Sequence, residues 1–284
     1  MTVVAVNLAP DNTTDTTFRS WGKPVSDAFT SFGIIKTNDT GQIDWSTVIK
    51  PAANAVAGYE MRQFTDSLQA TAPLFFKIEY GADASSRPQI WIQFGRGSNG
   101  TGGLTGVTTT RQAINTAAGG ITTPFPCILS GSTNRFLIVL WFTLANGVIF
   151  VSCERMKDIS GNDTAEGAMI TFFANGIRLN QRYPFSGFVP PTQDLGVHLP
   201  LGVTSGVDGA DVNYYPNFFY RNGTPLNPGV NHLAYFSGDV TAYDQAPISV
   251  YGTNRNYYFL GTTTPVNAFS RGGTLGVSLA ILYE

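Results

Sequence analysis

Between Arg135 and Glu154, two apolar runs rich in β-forming residues are joined by the segment Ala145-Asn146-Gly147. An Asn-Gly pair between such runs is the strongest local indication of a tight β-hairpin turn. The first run, Phe136–Leu144, has almost no polar residue, so we expect both faces of this strand to be buried. A strand that is covered on both faces belongs to packed sheets, and the pattern therefore predicts a β-sandwich.

Alternation of apolar and polar residues continues along most of the chain from Leu74 onward. Leu74–Tyr80 and Gln89–Gly95 are predicted strands, and the polar loop Gly81–Pro88 links them. Ala168–Gly176 is a further predicted strand. The last third of the chain contains five more apolar or aromatic runs, within Asn217–Pro225, His232–Val240, Pro247–Gly252, Asn256–Gly261 and Leu275–Glu284.

Helical spacing of apolar residues occurs only near the N-terminus. Trp21–Gly33 has this spacing, with Pro24 at an early helical position and a glycine as the stop. Residues 57–72 are predicted to hold a second short helix, whose apolar positions are Tyr59, Phe64 and Leu68.

The expected fold class is all-β: an antiparallel, jelly-roll-like β-sandwich with an N-terminal extended arm and one or two short helices. We expect residues 1–70 to form the arm and the helical segment, and residues 71–284 to form the sandwich domain. Residues 1–20 should be the arm itself, so their removal should leave a folded protein that assembles poorly. The Pro-containing stretch Tyr183–Pro216 is expected to be irregular and to lie on the surface or along a neighbouring subunit.

The charge pattern argues against one class of partner and favours another. Charged residues make up 13% of the 284 residues, against about 25% in typical globular chains. The net charge is −2 and the basic residues are scattered singly, whereas nucleic-acid binding requires a basic cluster. Surfaces of low charge are readily desolvated against neighbouring subunits, so we expect a homo-oligomer and no nucleic-acid partner.

We expect no membrane partner. The longest apolar run is shorter than the roughly 18 residues that a membrane span needs, and Asn146-Gly147 interrupts it. The N-terminal sequence lacks the basic start and the long apolar segment of a secretory signal, so synthesis in a cytoplasm is expected.

One segment matches a cofactor-binding pattern. Gly95-Arg96-Gly97-Ser98-Asn99-Gly100 has the G-x-G-x-x-G spacing and follows a predicted strand. That pattern binds a pyrophosphate only where it begins a helix, and the following Thr101–Gly106 is too glycine-rich to start one. We therefore interpret the segment as a flexible hairpin or a protruding loop.

Other candidate chemistry is sparse. The two histidines, His198 and His232, have no cysteine or carboxylate at ligand spacing, and no nucleophile elbow accompanies them. Asp158–Asp163 and Asp208–Asn213 supply oxygen atoms in turns, but neither has the spacing of a calcium-binding loop. We therefore assign no catalytic, cofactor-binding or metal-binding residue, no cofactor and no enzymatic activity.

Two further groups of residues have structural explanations. The clusters Tyr214–Tyr220 and Tyr257–Phe259 are rich in aromatic residues, which could form core, subunit contacts or a sugar-stacking platform. Cys127 and Cys153 lie in or beside apolar strands, where free thiols behave as small hydrophobic groups. The sequence leaves a disulfide between them open.

Several segments together carry a family resemblance: Asp44-Trp45 with Val48, Tyr59-Glu60, Phe64-Thr65-Asp66, Pro73–Gly81 (PLFFKIEYG), Phe218–Val240 and Val277–Glu284. These segments resemble structural proteins of tailed-bacteriophage virions, of the neck, tail, baseplate, fibre and capsid-decoration types. The resemblance spans most of the chain. It implies no catalytic residues, and it implies that the protein is located in the virion.

The leading functional hypothesis is therefore a non-enzymatic virion component that assembles with copies of itself and with other virion proteins. The alternative is a receptor-binding module on the virion surface, whose partner would be a host surface glycan. The sequence does not decide which part of the virion the protein would occupy.

Overall fold

The computed structural model describes residues 2–8, 14–107, 111–115, 125–141, 148–157, 162–174, 177–184, 201–204, 211–221, 224–237, 245–250, 253–259 and 278–282. These residues are mostly in β-strands that form antiparallel sheets, so the predicted all-β class is confirmed. The chain separates into two compact units. We call Val3–Ser152 the N-terminal unit, and Cys153–Glu284 with Met1–Thr2 the C-terminal unit.

The N-terminal unit contains one described helix and eleven described strands, the last of which extends past Ser152. In chain order they are β1 (Thr2–Leu8), α1 (Asp15–Ser31), β2 (Ile35–Lys36), β3 (Val56–Gln63), β4 (Phe75–Ala82), β5 (Pro88–Gly95), β6 (Gly97–Ser98), β7 (Leu104–Thr105), β8 (Gln112–Asn115), β9 (Phe125–Ser132), β10 (Arg135–Trp141) and β11 (Val148–Lys157).

One antiparallel sheet of this unit has the strand order β2-β3-β4-β5-β8. In its register Tyr59 pairs with Glu79, and Glu79 pairs with Trp91, so these three side chains share one face. The predicted β4–β5 hairpin is confirmed, because Ala82 pairs with Pro88 across the polar loop.

In a second sheet β1, β9, β10 and β11 are neighbours in that order. The strands β10 and β11 are the two apolar runs of the predicted hairpin, and both are confirmed as strands. The turn Ala145-Asn146-Gly147 lies outside the described residues. The side chains of Phe136 and Ile138 are buried on one face of β10.

The helix α1 begins earlier than the sequence predicts. Thr14 caps it, because its side chain accepts from the backbone N–H of Thr17 while the Thr17 hydroxyl accepts from the N–H of Thr14. Pro24 therefore lies in the helix interior and not in its first turn. The helix is followed by Gly33, whose φ of +80° is typical of a helix C-terminus.

The expected extended arm over residues 1–20 is wrong for the residues that the structure describes. Residues 2–8 form β1, which is a neighbour of β9 in a sheet. Residues 15–20 are the first turns of α1, and the ring of Phe18 is fully buried. This polar segment is thus part of the folded unit, and the ring of Phe18 anchors α1 in the core.

The second predicted helix, over residues 57–72, is also wrong. Residues 56–63 form β3, which pairs with β2 and β4, and turns follow it. Because β3 and β4 pair across residue 70, the boundary expected there does not separate the two compact units.

Aromatic rings form the core of the N-terminal unit. The Phe29 ring of α1 lies 5.5 Å from the ring of Phe76 in β4 and 5.0 Å from that of Phe136 in β10. The rings of Phe76 and Phe136 are themselves 4.8 Å apart. Edge-to-face and tilted contacts of this kind add to the hydrophobic gain from burial, so α1 shares one core with both sheets.

The C-terminal unit contains β12 (Asp163–Ala174), β13 (Ile177–Pro184), β14 (Leu201–Thr204), β15 (Asp211–Arg221), β16 (Thr224–Ser237), β17 (Gln245–Val250), β18 (Thr253–Phe259) and β19 (Ser278–Leu282). Strand β12 pairs antiparallel with β13. The remaining strands have the order β14-β15-β16-β19-β18-β17, with antiparallel neighbours. All five strands predicted in the last third of the chain are confirmed.

The irregular stretch expected over Tyr183–Pro216 is wrong in part. Leu201–Thr204 and Asp211–Arg221 are strands that pair with each other. Pro216 lies at a shift of register between β15 and β16, where a missing N–H breaks no ladder bond. Residues 185–200 and 205–210 of this prediction lie outside the described residues.

Within the described part of the chain, no helix combines the length and the apolar character that crossing a membrane requires.

Candidate functional site

A buried carboxylate, Glu60 of β3, lies at the centre of the N-terminal unit. Its side chain is fully buried between α1 and the sheet. Its oxygens accept hydrogen bonds from Ser26 Oγ (2.6 Å), Trp45 Nε1 (3.0 Å), Arg62 Nε (2.9 Å) and Tyr80 OH (3.2 Å), and Oε1 forms an ion pair with Lys36 Nζ (2.6 Å). A carboxylate with this many donors is fully satisfied within the protein.

Arg62 is the partner of Glu60 two residues along β3, on the same face of the strand. Its guanidinium donates to the carbonyl oxygens of Ile34 and Ser26, each at 2.9 Å, and lies 5.4 Å from the centre of the Phe29 ring. The pair therefore joins β3 to α1 and to the segment that follows the helix.

Ionisation of this cluster follows from its contacts. Burial alone would raise the pKa of Glu60, but the charge of Arg62 and the bonds from Lys36 and Ser26 outweigh burial and lower it. Burial, and then the negative charge of Glu60, raise the pKa of Tyr80 well above its ordinary value. At neutral pH the cluster thus holds an ionised Glu60 and a neutral Tyr80, and it serves as a structural bridge.

A second buried carboxylate, Asp39, holds the glycine-rich segment in place. Asp39 accepts hydrogen bonds from Ser98 Oγ, from Thr37 Oγ1 and from the backbone N–H of Gly102 (2.9 Å). Gly102 has a φ of +85°, and a Cβ there would lie 2.3 Å from the Tyr59 ring. Only glycine fits here, because of the positive φ and the close Tyr59 ring.

The G-x-G-x-x-G segment is therefore a small hairpin. Gly97 of β6 pairs with Thr105 of β7, and Ser98 pairs with Leu104. No helix follows the glycines, as the sequence predicts. The hairpin does not protrude freely, because Asp39 and the Thr40 N–H, which donates to the Gly100 carbonyl oxygen at 2.9 Å, bind it to the neighbouring loop.

An open cleft of about 600 Å³ lies beside this hairpin, and we refer to it as the hairpin cleft. Its walls are the loop 35–39, the end of β3, the segment 69–75 and residues 96–100 of the hairpin. The volume lies within the range of roughly 300–1,000 Å³ that small-ligand sites occupy. The polar residues of its lining include Lys36, Asn38, Gln63 and Arg96.

The face of the sheet opposite Glu60 carries a row of aromatic and charged side chains, which we call the Tyr59–Trp91 row. Lys77 Nζ lies 5.0 Å from the centre of the Tyr59 ring, and the Arg111 guanidinium lies 4.2 Å from that of Trp91. Glu79 forms ion pairs with Lys77 (2.9 Å) and with Arg111. Cation–π contacts and ion pairs thus order a half-exposed surface.

The residues singled out from the sequence are not brought together in the described part of the chain. His198 and residues 208–210 and 158–161 lie outside it. For His232 and for the clusters Tyr214–Tyr220 and Tyr257–Phe259, the structure describes the strand backbone only. Cys127 and Cys153 are both free and buried. In the described residues no group of three His, Cys, Asp or Glu side chains is placed to hold a metal ion.

Local sequence patterns do not predict the roles of the two buried carboxylates, Glu60 and Asp39. Glu60 and Arg62 alternate in the run GYEMRQF, and opposite charges two residues apart in a strand are a usable indication of a pair on one face. Asp39 carries no comparable local signal, because its partners Ser98 and Gly102 are distant in sequence.

No protein-family model matches the chain, and no curated protein matches it. Function has to be inferred from the residues and their geometry. Trp45, Glu60, Phe64 and Tyr80 are all buried, and three of them meet in the Glu60 cluster.

Proposed function

We propose that the protein is a non-enzymatic structural component of a tailed-bacteriophage virion, with its sheets packed as a sandwich. It assembles through contacts with its own copies and with other virion proteins, after synthesis in the host cytoplasm. The observation that supports this proposal is that Trp45, Glu60 and Tyr80, on which the proposed resemblance partly rests, lie together in the buried framework around Glu60. A rigid buried framework suits a protein whose function depends on its shape.

The Tyr59–Trp91 row is the described surface best suited to a subunit contact. Tyr, Trp and Arg are the residue types most enriched where binding energy concentrates in interfaces. Here Lys77, Glu79 and Arg111 already hold the two rings in fixed positions, so little side-chain entropy is lost when a partner covers them.

Quantitative mass spectrometry of purified particles tests the virion role. The expected result is a fixed copy number per particle. A copy number that is a multiple of five or six would place the protein on the shell or in a ring, whereas three copies or a few trimers would place it in fibres. The proposal would be overturned if purified particles lack the protein although it is abundant in the infected cell.

A matched pair of variants tests the contact surface. Arg111→Ala removes the cation that lies over Trp91, and Lys23→Ala removes an exposed cation of α1 that pairs only with Asp27 among the described residues. The first variant should enter particles at a reduced copy number, and the second should enter them normally. Equal incorporation of both variants would exclude the Tyr59–Trp91 row as the contact.

The second candidate function is a glycan-binding module on the virion surface. The hairpin cleft favours it, because polar side chains and an aromatic ring line one concave surface of suitable size. Binding of the purified protein to a glycan array tests it, and an array without any bound glycan would exclude it.

A further inference from the structure

Two amide side chains in the hairpin cleft have no hydrogen-bond partner among the described residues. They belong to Asn38, which is exposed, and to Gln63, which is half-buried at the end of β3. By contrast, the Gln69 amide in the same cleft is fully used, since it donates to the Leu74 carbonyl oxygen and accepts from the Leu74 N–H. The cleft thus offers donors and acceptors that the fold itself does not need.

The charges that line the cleft are largely compensated. Lys36 Nζ lies 2.6 Å from Glu60 Oε1, a carboxylate that Arg62 also contacts, so these three groups together carry only one net positive charge. Asp39 contributes a negative charge to the same wall that contains the Arg96 side chain. A phosphate or an acidic peptide needs a cluster of uncompensated cations, which this arrangement does not supply. The chemistry favours an uncharged ligand.

The lining also includes apolar side chains, one of which is an aromatic ring. Phe75 is half-buried, and the lining also contains Pro73 and Ile35, which has 45% of its surface exposed. A half-exposed ring next to amide groups suits a ligand that has an apolar face and hydroxyl groups at its edge.

We infer that the hairpin cleft binds an uncharged saccharide, with the amides of Asn38 and Gln63 on its hydroxyl groups and the Phe75 ring against one sugar face. This inference rests on the second candidate function. It adds to that function the site, the contacting residues and the class of ligand. The Asp39 carboxylate acts as a positioning residue, because it holds the hairpin wall through Ser98 and Gly102.

Titration of the full chain with lactose and chitotriose, followed by NMR, tests the inference. The expected result is weak binding in which the shift changes are confined to residues 35–39, 63, 75 and 96–100. Gln63→Ala should weaken binding about tenfold, as expected for the loss of one hydrogen-bonding side chain. Gln93→Ala, a half-buried glutamine of β5 outside the cleft lining, is the matched control and should bind as the parent chain does.

Sialyllactose provides the contrasting ligand. Binding of the acidic sugar without binding of the neutral ones would overturn the assigned ligand class. Binding with shift changes elsewhere, or no binding of any saccharide, would overturn the site. The virion role is measured separately by copy number in the particle, so its failure and the failure of this inference are distinguishable. Thermal unfolding of each variant shows whether a loss of saccharide binding reflects a loss of folding. The NMR shift changes of the wild-type chain test the site without any variant.

Discussion

The carboxylate of Asp39 accepts a hydrogen bond from the backbone N–H of Gly102 at 2.9 Å, although 63 positions separate the two residues. This bond fastens the turn of the β6–β7 hairpin to the loop that follows β2. The bond also holds one wall of the hairpin cleft in place. It therefore depends both on the positive φ of Gly102 and on the charge of Asp39.

The attachment of the hairpin should depend on pH. Burial tends to raise the pKa of Asp39, but hydrogen bonds from Ser98, Thr37 and Gly102 outweigh it and lower the pKa below 3.8. Because the folded-state pKa is the lower one, the stabilisation is complete above the unfolded value of 3.8 and is lost as the pH falls through the folded value. The Gly102 amide resonance should therefore shift only in strongly acidic solution.

Asp39→Asn should release the hairpin at neutral pH, at a cost of about 2 kcal/mol, because charge-assisted hydrogen bonds are lost. Urea unfolding and the Gly102 resonance measure the two effects. Asp44→Asn is the control, since the Asp44 carboxylate accepts only from Ser46 and Thr47 of its own turn among the described residues. A Gly102 resonance unchanged in Asp39→Asn would contradict the assigned role.

Removal of one partner from the buried Glu60–Arg62 pair should be costly. Arg62→Met leaves the Glu60 charge with less compensation, and we expect the free energy of unfolding to fall by about 3–5 kcal/mol. The double variant Glu60→Leu/Arg62→Met should lose less than the sum of the single variants, as a double-mutant cycle in urea would show. Asp27→Asn breaks the exposed pair with Lys23 and should change stability by less than about 0.5 kcal/mol.

Gly22→Ala should destabilise the protein although alanine is the better helix former. In an exposed helix this change would contribute up to about 1 kcal/mol of stability. Here a Cβ on Gly22 would lie 2.1 Å from the Trp45 ring, which donates to Glu60. We expect a net loss of about 2 kcal/mol from the displaced ring. Combination with Trp45→Leu should reduce the further cost of the alanine; full additivity in thermal unfolding would contradict the contact.

Removal of residues 1–20 should unfold the N-terminal unit. The deletion removes β1, the capping residue Thr14 and the fully buried Phe18. Removal of residue 1 alone is the control. Circular dichroism and cooperative unfolding measure the outcome, and a truncated chain with a parental melting temperature would restore the view of this segment as a separate arm.

Both cysteines should resist thiol reagents in the native protein. Burial raises the pKa of the Cys127 thiol and of the Cys153 thiol well above the ordinary value, so little reactive thiolate is present. At a pH of about 8 we expect no rapid reaction before unfolding and reaction of both thiols in urea. Rapid labelling of the folded chain would contradict the burial of the thiol that reacts.

Local sequence patterns were sufficient to predict strands that pair with the next strand along the chain. The alternation in Leu74–Tyr80 and Gln89–Gly95 places every second residue on the core face, and the loop between them is short and polar. In β3 the same reasoning failed, because Tyr59, Phe64 and Leu68 happen to have helical spacing while the pairing partners lie in β4. The start of α1 was missed because its capping box uses Thr17 where Glu or Gln is more usual.

The sequence alone determined the strand-rich class, the low charge, and the glycines that exclude a phosphate-binding helix, since each of these depends on composition or on neighbours in the chain. Only the tertiary structure decided that Glu60 and Arg62 are a satisfied buried pair, and that Asp39 holds the hairpin beside a cleft with unpartnered amides. The physical reason is that a buried charge is stable only with the right partners. Those partners come from α1, β2, β4 and the hairpin, which only folding brings together.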